Sequence, residues 1–180
     1  GESFLEILNQ TDTTSRKNSD LKSTAIFTAV INGNVEFLKI LLNAGLSVDQ
    51  IRANESSLVC IAAQEGHKEC LELLLARGAN AKKANTSGKT PLFFAAQEGH
   101  KECVELLIEN KAVVNQANKN GTTPLFMAAQ EGFKDVVKLL IENNADVNQV
   151  RNNGSSPLYV AVLRSHEDIV KLLLERKAVV

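Results

Sequence analysis

The sequence predicts an all-α solenoid of stacked helical hairpins, and three observations carry that expectation. The string "AAQEGHKEC" stands at 62–70 and again at 95–103, an offset of 33 residues. The same step leads forward to "AAQEGFKDV" at 128–136 and "AVLRSHEDI" at 161–169, and back to "AVINGNVEF" at 29–37. A fixed period of this length is the signature of one supersecondary unit repeated along the chain. Within the period, capping residues and glycines recur where two short helices would start and stop. Finally, the alanine pairs Ala62-Ala63, Ala95-Ala96 and Ala128-Ala129 recur in phase, small residues that let neighbouring helices approach closely.

Residues 85–117, "NTSGKTPLFFAAQEGHKECVELLIENKAVVNQA", show the unit most clearly. "NTSG" has the composition of a turn. Thr90 then precedes Pro91, a cap followed by the first helical position, where proline is favoured. The first helix is expected from about Pro91 to Glu98, with Gly99 as a left-handed stop. A second follows from about Lys101 to Glu109. Cys103, Val104, Leu106, Leu107 and Ile108 form its wide apolar face, and Lys101, Glu102, Glu105 and Glu109 lie outside it. "NKAVVNQA" returns the chain to the next turn.

Helices this short are marginal in water unless tertiary packing holds them. Stacking answers that, because each pair buries its apolar faces against the pair before and the pair after. The chain therefore reads as one domain over residues 1–180, with repeats near 19–51, 52–84, 85–117, 118–150 and 151–180. Residues 2–18 form an N-terminal half-repeat or cap: "FLEIL" at 4–8 lies one period before "FLKIL" at 37–41, and 10–18 is a polar connection. At the other end, "IVKLLLERKAVV" resembles the interior second helices and lacks the polar outer face of a terminal cap. Further sequence is expected after it.

"GKTPLFFAAQEGH" and "GTTPLFMAAQEGF" resemble the ankyrin repeat, with its 33-residue period and G-x-T-P-L-H-x-A-A-x-x-G-H core. The tails "NADVN" at 144–148 and "KAVVN" at 111–115 are similar to the family's G-A-D-V-N ending. There are departures. Phe27, Cys60, Phe93, Phe126 and Tyr159 stand where the family has the T-P-L-H histidine, so packing is expected to replace a polar tie between turns. Thr24-Ala25 and Ser57-Leu58 lack the proline, and Lys22 and Glu55 replace the turn glycine. The glycine after the second helix survives as Gly45 and Gly78 but becomes Lys111, Asn144 and Lys177. A lysine with positive φ costs about 1 kcal/mol.

Composition excludes several functions. The net charge of −1 and the absence of a basic stripe argue against nucleic acid and anionic membranes. No apolar run is long enough to span a bilayer. "SGKT" at 87–90 lacks the upstream glycine of a phosphate loop and is in phase with the other turn tips. His67, His100 and His166 share one repeat position after the residue that separates the helices, which reads as structural, not catalytic or metal-binding. Cys70 and Cys103 share a position with Val136 and Ile169, so they read as packing residues, and free thiols suit the cytoplasm or the nucleus. No enzyme activity, cofactor or metal is expected.

The resemblance implies a protein-binding module whose contact wall is made by the turn tips and the solvent face of each first helix. Mapped onto this sequence, the tips supply Ala53, Asn54 and Ser56; Thr86, Ser87 and Lys89; Lys119, Asn120 and Thr122; and Asn152, Asn153 and Ser155. Helical spacing aligns Ile61, Phe94, Met127 and Val160 with Gln64-Glu65, Gln97-Glu98, Gln130-Glu131 and Leu163-Arg164. The expected contacts are Lys89, Phe94, Gln97, Glu98, Thr122, Met127, Gln130, Glu131, Asn153 and Arg164. Their partner is an extended or helical protein segment with basic and apolar side chains, and the chain itself is expected to be a monomer. An alternative is a regulatory or targeting module of a larger protein (ligase substrate receptor, kinase, acyltransferase or channel); another is a structural spacer. Asn115 and Asn148 match the asparagine that, in the family, cytosolic hydroxylases can modify, although a turn-stabilising role also fits.

Overall fold

The computed structural model describes residues 16–52 and 56–179. The half-repeat expected at 2–9 and the tip residues Ala53 and Asn54 lie outside them. The described residues form ten helices and no β-strand, with one isolated antiparallel bridge, Ile51–Ser57. In chain order these are α1 Arg16–Ile31, α2 Val35–Asn43, α3 Leu58–Glu65, α4 Lys68–Ala76, α5 Pro91–Glu98, α6 Lys101–Glu109, α7 Pro124–Glu131, α8 Lys134–Glu142, α9 Pro157–Leu163 and α10 Glu167–Glu175. From α3 onward the starts of the proline-led first helices, α5, α7 and α9, advance by the 33-residue period.

Consecutive helices pair as antiparallel hairpins, and the hairpins stand in file. First helices pack on first helices (α1 on α3, α3 on α5, α5 on α7, α7 on α9), and second helices on second helices through α2, α4, α6, α8 and α10. One residue set repeats through the core. Ile26, Val59, Leu92, Leu125 and Leu158 are buried at one phase of the first helices, and Leu41, Leu74, Leu107, Leu140 and Leu173 at one phase of the second helices. Ala62, Ala95, Ala128 and Ala161 are fully buried in the seams between hairpins, where a larger side chain would force the helices apart.

Local chemistry fixes the helix ends. Ser57, Thr90, Thr123 and Ser156 sit in extended backbone, and their hydroxyl oxygens accept from the N–H of Cys60, Phe93, Phe126 and Tyr159. Each such cap stabilises its helix by about 1 kcal/mol. Gly66, Gly99 and Gly132 end the first helices in the left-handed region. The second helices end at a positive φ too, at Gly45 and Gly78 but also at Lys111, Asn144 and Lys177, so those three non-glycine residues carry the strain that the sequence implies.

The first hairpin departs from the expected pattern. α1 is one uninterrupted helix from Arg16, so residues 16–18 are helical and not part of a polar connection, and no turn forms at Lys22-Thr24. The cause is local. With alanine at 25 in place of proline and lysine at 22 in place of glycine, nothing in the chain forces a stop. Thr24 lies inside the helix, and its carbonyl accepts a second bond from the Thr28 hydroxyl at 2.8 Å.

Candidate partner-binding surface

The surface that holds the turn tips and the ends of the first helices is fixed by ties from one hairpin to the next. His67 Nε2–H donates to the Ile31 carbonyl at 2.8 Å, His100 to Gln64 at 3.0 Å and His166 to Gln130 at 3.0 Å. A carbonyl can only accept, so each ring carries its proton on Nε2. All three histidines are therefore structural. Each ring, and that of Phe133 at the same place, lies against the glycine ending the preceding first helix. A Cβ on Gly66 would stand 2.6 Å from His100, and one on Gly99 2.6 Å from Phe133. Those glycines are required twice, for their positive φ and for the ring beside them.

The tips are built by asparagine. Asn85 Oδ1 accepts from the N–H of Ser87 and Lys89, both at 3.0 Å, and Asn118 Oδ1 accepts from Asn120 and Thr122. Adjacent tips are joined by backbone bonds, Lys119 N–H to Ser87 C=O and Asn152 N–H to Asn120 C=O, each 3.1 Å. Arg52, one period before Asn85, and Arg151, one period after Asn118, hold the place where those asparagines do this work. Their guanidinium groups instead lie 4.9 Å over the rings of Phe27 and Phe126 in the preceding hairpin. A cation over an aromatic face thus supplies part of the polar tie expected to be lost with the T-P-L-H histidine.

On this frame the expected contact residues divide into two groups. Gln97 and Gln130 are half-buried, and Glu98 and Glu131 exposed, at the ends of α5 and α7, as are Gln64 and Glu65 at the end of α3. Two of these amides turn to their own neighbours: Gln97 Nε2 donates to Glu98 at 2.8 Å, and Gln130 Nε2 to Glu131 at 2.7 Å. None of the ion pairs among the described residues involves Glu65, Glu98 or Glu131. Lys89 lies partly exposed beside this row, its ammonium 5.1 Å from the Phe93 ring centroid and 5.5 Å from that of Phe94. Met127 is half-buried, and Asn153 and Arg164 are exposed at the last hairpin. Asn153 Oδ1 accepts from Ser155 N–H, and Arg164 caps α9.

Two of the expected contacts are buried. Phe94 is 8% exposed, covered by Lys89 and edge-on to Phe93 with centroids 6.1 Å apart, and Ile61 and Val160 are buried at the same place. Thr122 is 3% exposed, because it closes the Asn118 loop by accepting from Asn118 N–H at 2.9 Å; the crest of that tip is Lys119 and Asn120. The apolar rung thus belongs mainly to the core, and the exposed rung is amide and carboxylate. The arginine–phenylalanine contacts were not expected. Their sequence signal is an arginine 25 residues after a phenylalanine, at 27 and 52 and again at 126 and 151.

Asn115 and Asn148 bridge to the following loop. Asn115 Nδ2 donates to the Asn144 carbonyl at 3.0 Å while its Oδ1 accepts from Asp146 N–H at 2.9 Å, and Asn148 pairs in the same way with Lys177 and Val179. This geometry is that of a turn-stabilising side chain; a hydroxylase would have to open both bonds. The thiols of Cys70 and Cys103 are pushed up to about 11, first by burial and then by the neighbouring carboxylates Glu69 and Glu102. Burial raises Cys60 as well. These are inert packing groups. No helix among the described residues is long and apolar enough to cross a membrane.

A search of curated proteins finds no significant match to the chain. The family model for ankyrin repeats, which spans three copies, matches it in four overlapping placements, at residues 2–85, 26–118, 59–151 and 112–180. With hairpins in file, a 33-residue period and a matching model over nearly all its length, the chain belongs to the ankyrin-repeat family.

Proposed function

We propose that the chain acts by binding a segment of another protein along the row of Gln64-Glu65, Gln97-Glu98 and Gln130-Glu131, with Lys89, Lys119 and Asn153 at the adjoining tips and Arg164 at the far end. Ankyrin repeats are protein-interaction modules, which gives the general class. The observation that carries the finer reading is the set of three exposed carboxylates, Glu65, Glu98 and Glu131, one per hairpin and in no ion pair among the described residues. Successive hairpins are about 10 Å apart, the usual spacing of packed helices. An extended or helical partner with basic side chains at that interval meets one carboxylate at each step. The neighbouring amides supply donors and acceptors without adding charge.

The test is capture of a partner by crosslinking with the purified chain, followed by titration against a triple variant, Glu65→Gln, Glu98→Gln and Glu131→Gln. These side chains are exposed, so the variant should melt with the parent. Exposed ion pairs contribute about 0.2–1 kcal/mol each, so the affinity should fall roughly tenfold and the salt dependence should flatten. A partner bound equally well by the variant refutes this surface. Recovery of no specific partner favours the spacer.

A further inference from the structure

Resting on the row proposed above, we infer that its partner is a segment in polyproline II form with a basic side chain at every third residue for three steps and a carboxylate at the fourth. Glu65, Glu98 and Glu131 are the last residues of α3, α5 and α7, and no basic residue stands in the last turn of these helices. A carboxylate there faces the negative end of the helix dipole, so it opposes its own helix and attracts a cation. One period further on the sign reverses. Arg164 caps α9, is exposed and is in no ion pair among the described residues. One period before Glu65 stands the neutral Asn32. Along the five hairpins the row therefore reads neutral, acidic, acidic, acidic, basic. That order differs in its two directions, so a complementary segment can lie only one way.

Spacing and amides decide the form of the backbone. Packed hairpins repeat at about 10 Å. A polyproline II helix turns once in three residues and rises about 9.3 Å in doing so, which puts every third side chain on one face at nearly that interval. In a β-strand, residues three apart point to opposite faces. An α-helix needs about seven residues to cover the distance, and its backbone groups are already paired. The polyproline II backbone keeps its N–H and C=O groups free. Gln97 and Gln130 use Nε2 on the adjacent carboxylate, which leaves each Oε1 to accept from a backbone N–H of the segment. In the fifth hairpin Leu163, 65% exposed, replaces the amide, so the charge of Arg164 selects there.

The probe is a fluorescent peptide with Arg, Arg, Arg and Asp at every third position and alanine and proline between them, titrated at low salt. Replacing its Asp by Asn should weaken binding roughly threefold, although the change makes the peptide more positive. Against Arg164→Gln, an exposed change that should melt with the parent, the same replacement should bring no loss. A peptide with the same charges at every fourth position should bind more weakly than the first. If the Asp-to-Asn change costs nothing in the parent, while Glu65→Gln with Glu98→Gln and Glu131→Gln still loses the peptide, the row stands and the ordered pattern is overturned. If that triple variant binds the peptide as the parent does, the row itself falls. Equal binding of the every-fourth peptide, or tighter binding of an α-helical peptide with the same order at every seventh residue, overturns the polyproline II form. No binding of the first peptide overturns the whole inference.

Discussion

Two glycine-to-alanine substitutions one helix apart should differ severalfold in cost, and the difference measures how tightly one hairpin is fitted to the next. Gly78 ends a second helix at φ 87, and a methyl group built on it meets nothing within 4 Å. Its only penalty is the left-handed backbone, about 1 kcal/mol. Gly99 ends a first helix at φ 77, so the same backbone cost applies. Its methyl would also stand 2.6 Å from Cδ1 and Cε1 of Phe133, a ring held by the next hairpin. Overpacking of that kind adds about 1–3 kcal/mol. Gly78→Ala should therefore lose about 1 kcal/mol and Gly99→Ala about 2–4 kcal/mol. Urea unfolding followed by circular dichroism gives both numbers, provided that the slopes agree with that of the parent. Adding Phe133→Ala to Gly99→Ala closes a double-mutant cycle, whose coupling term should return most of the excess. Equal losses at the two glycines, or a cycle with no coupling, would refute the account of how hairpins are registered.

Phe133→His should place a ring nitrogen near the Gln97 carbonyl, as at the other three positions, and stabilise the chain by about 0.5–1 kcal/mol; a melting curve that does not rise tells against the ladder of ring ties. Lys111→Gly should relieve a φ of 66 and gain about 0.5–1 kcal/mol, read by the same titration. The raised thiols give a pH dependence of definite sign. The folded chain holds its thiol protons more tightly than the unfolded chain, so this stabilisation is complete below pH 9 and is lost as the pH climbs towards about 11. Cys70→Val with Cys103→Val, residues that follow the Val136 precedent, should flatten the decline in thermal midpoint over that window.

Much of the fold was legible because each boundary is marked by a residue that can do little else. Thr90-Pro91 starts α5, Gly99 stops it, and the apolar face of Cys103, Val104 and Leu107 defines α6. The first hairpin was not legible for the converse reason: Lys22 and Ala25 are good helix formers in places where the repeat calls for a break, and α1 runs through them. The candidate site was half readable. Helical spacing puts Phe94 in line with Gln97 and Glu98, but it does not say that the stem of Lys89, five residues earlier, folds over the ring. Thr122 likewise shares the polar composition of a tip yet closes the loop from within. The contacts of Arg52 and Arg151 join residues in different hairpins, so only three-dimensional stacking brings them together.

Because each interior hairpin among the described residues packs mainly on its two neighbours, and its two faces are nearly the same along the file, a whole period can be duplicated without creating a misfit. The identical nine residues at 62–70 and 95–103 are the visible trace of such freedom. A lineage holding this architecture can lengthen or shorten the proposed binding edge by one rung in a single genetic event, and a new rung copied from the Gln-Glu repeats arrives with its amide and carboxylate already aligned to those beside it.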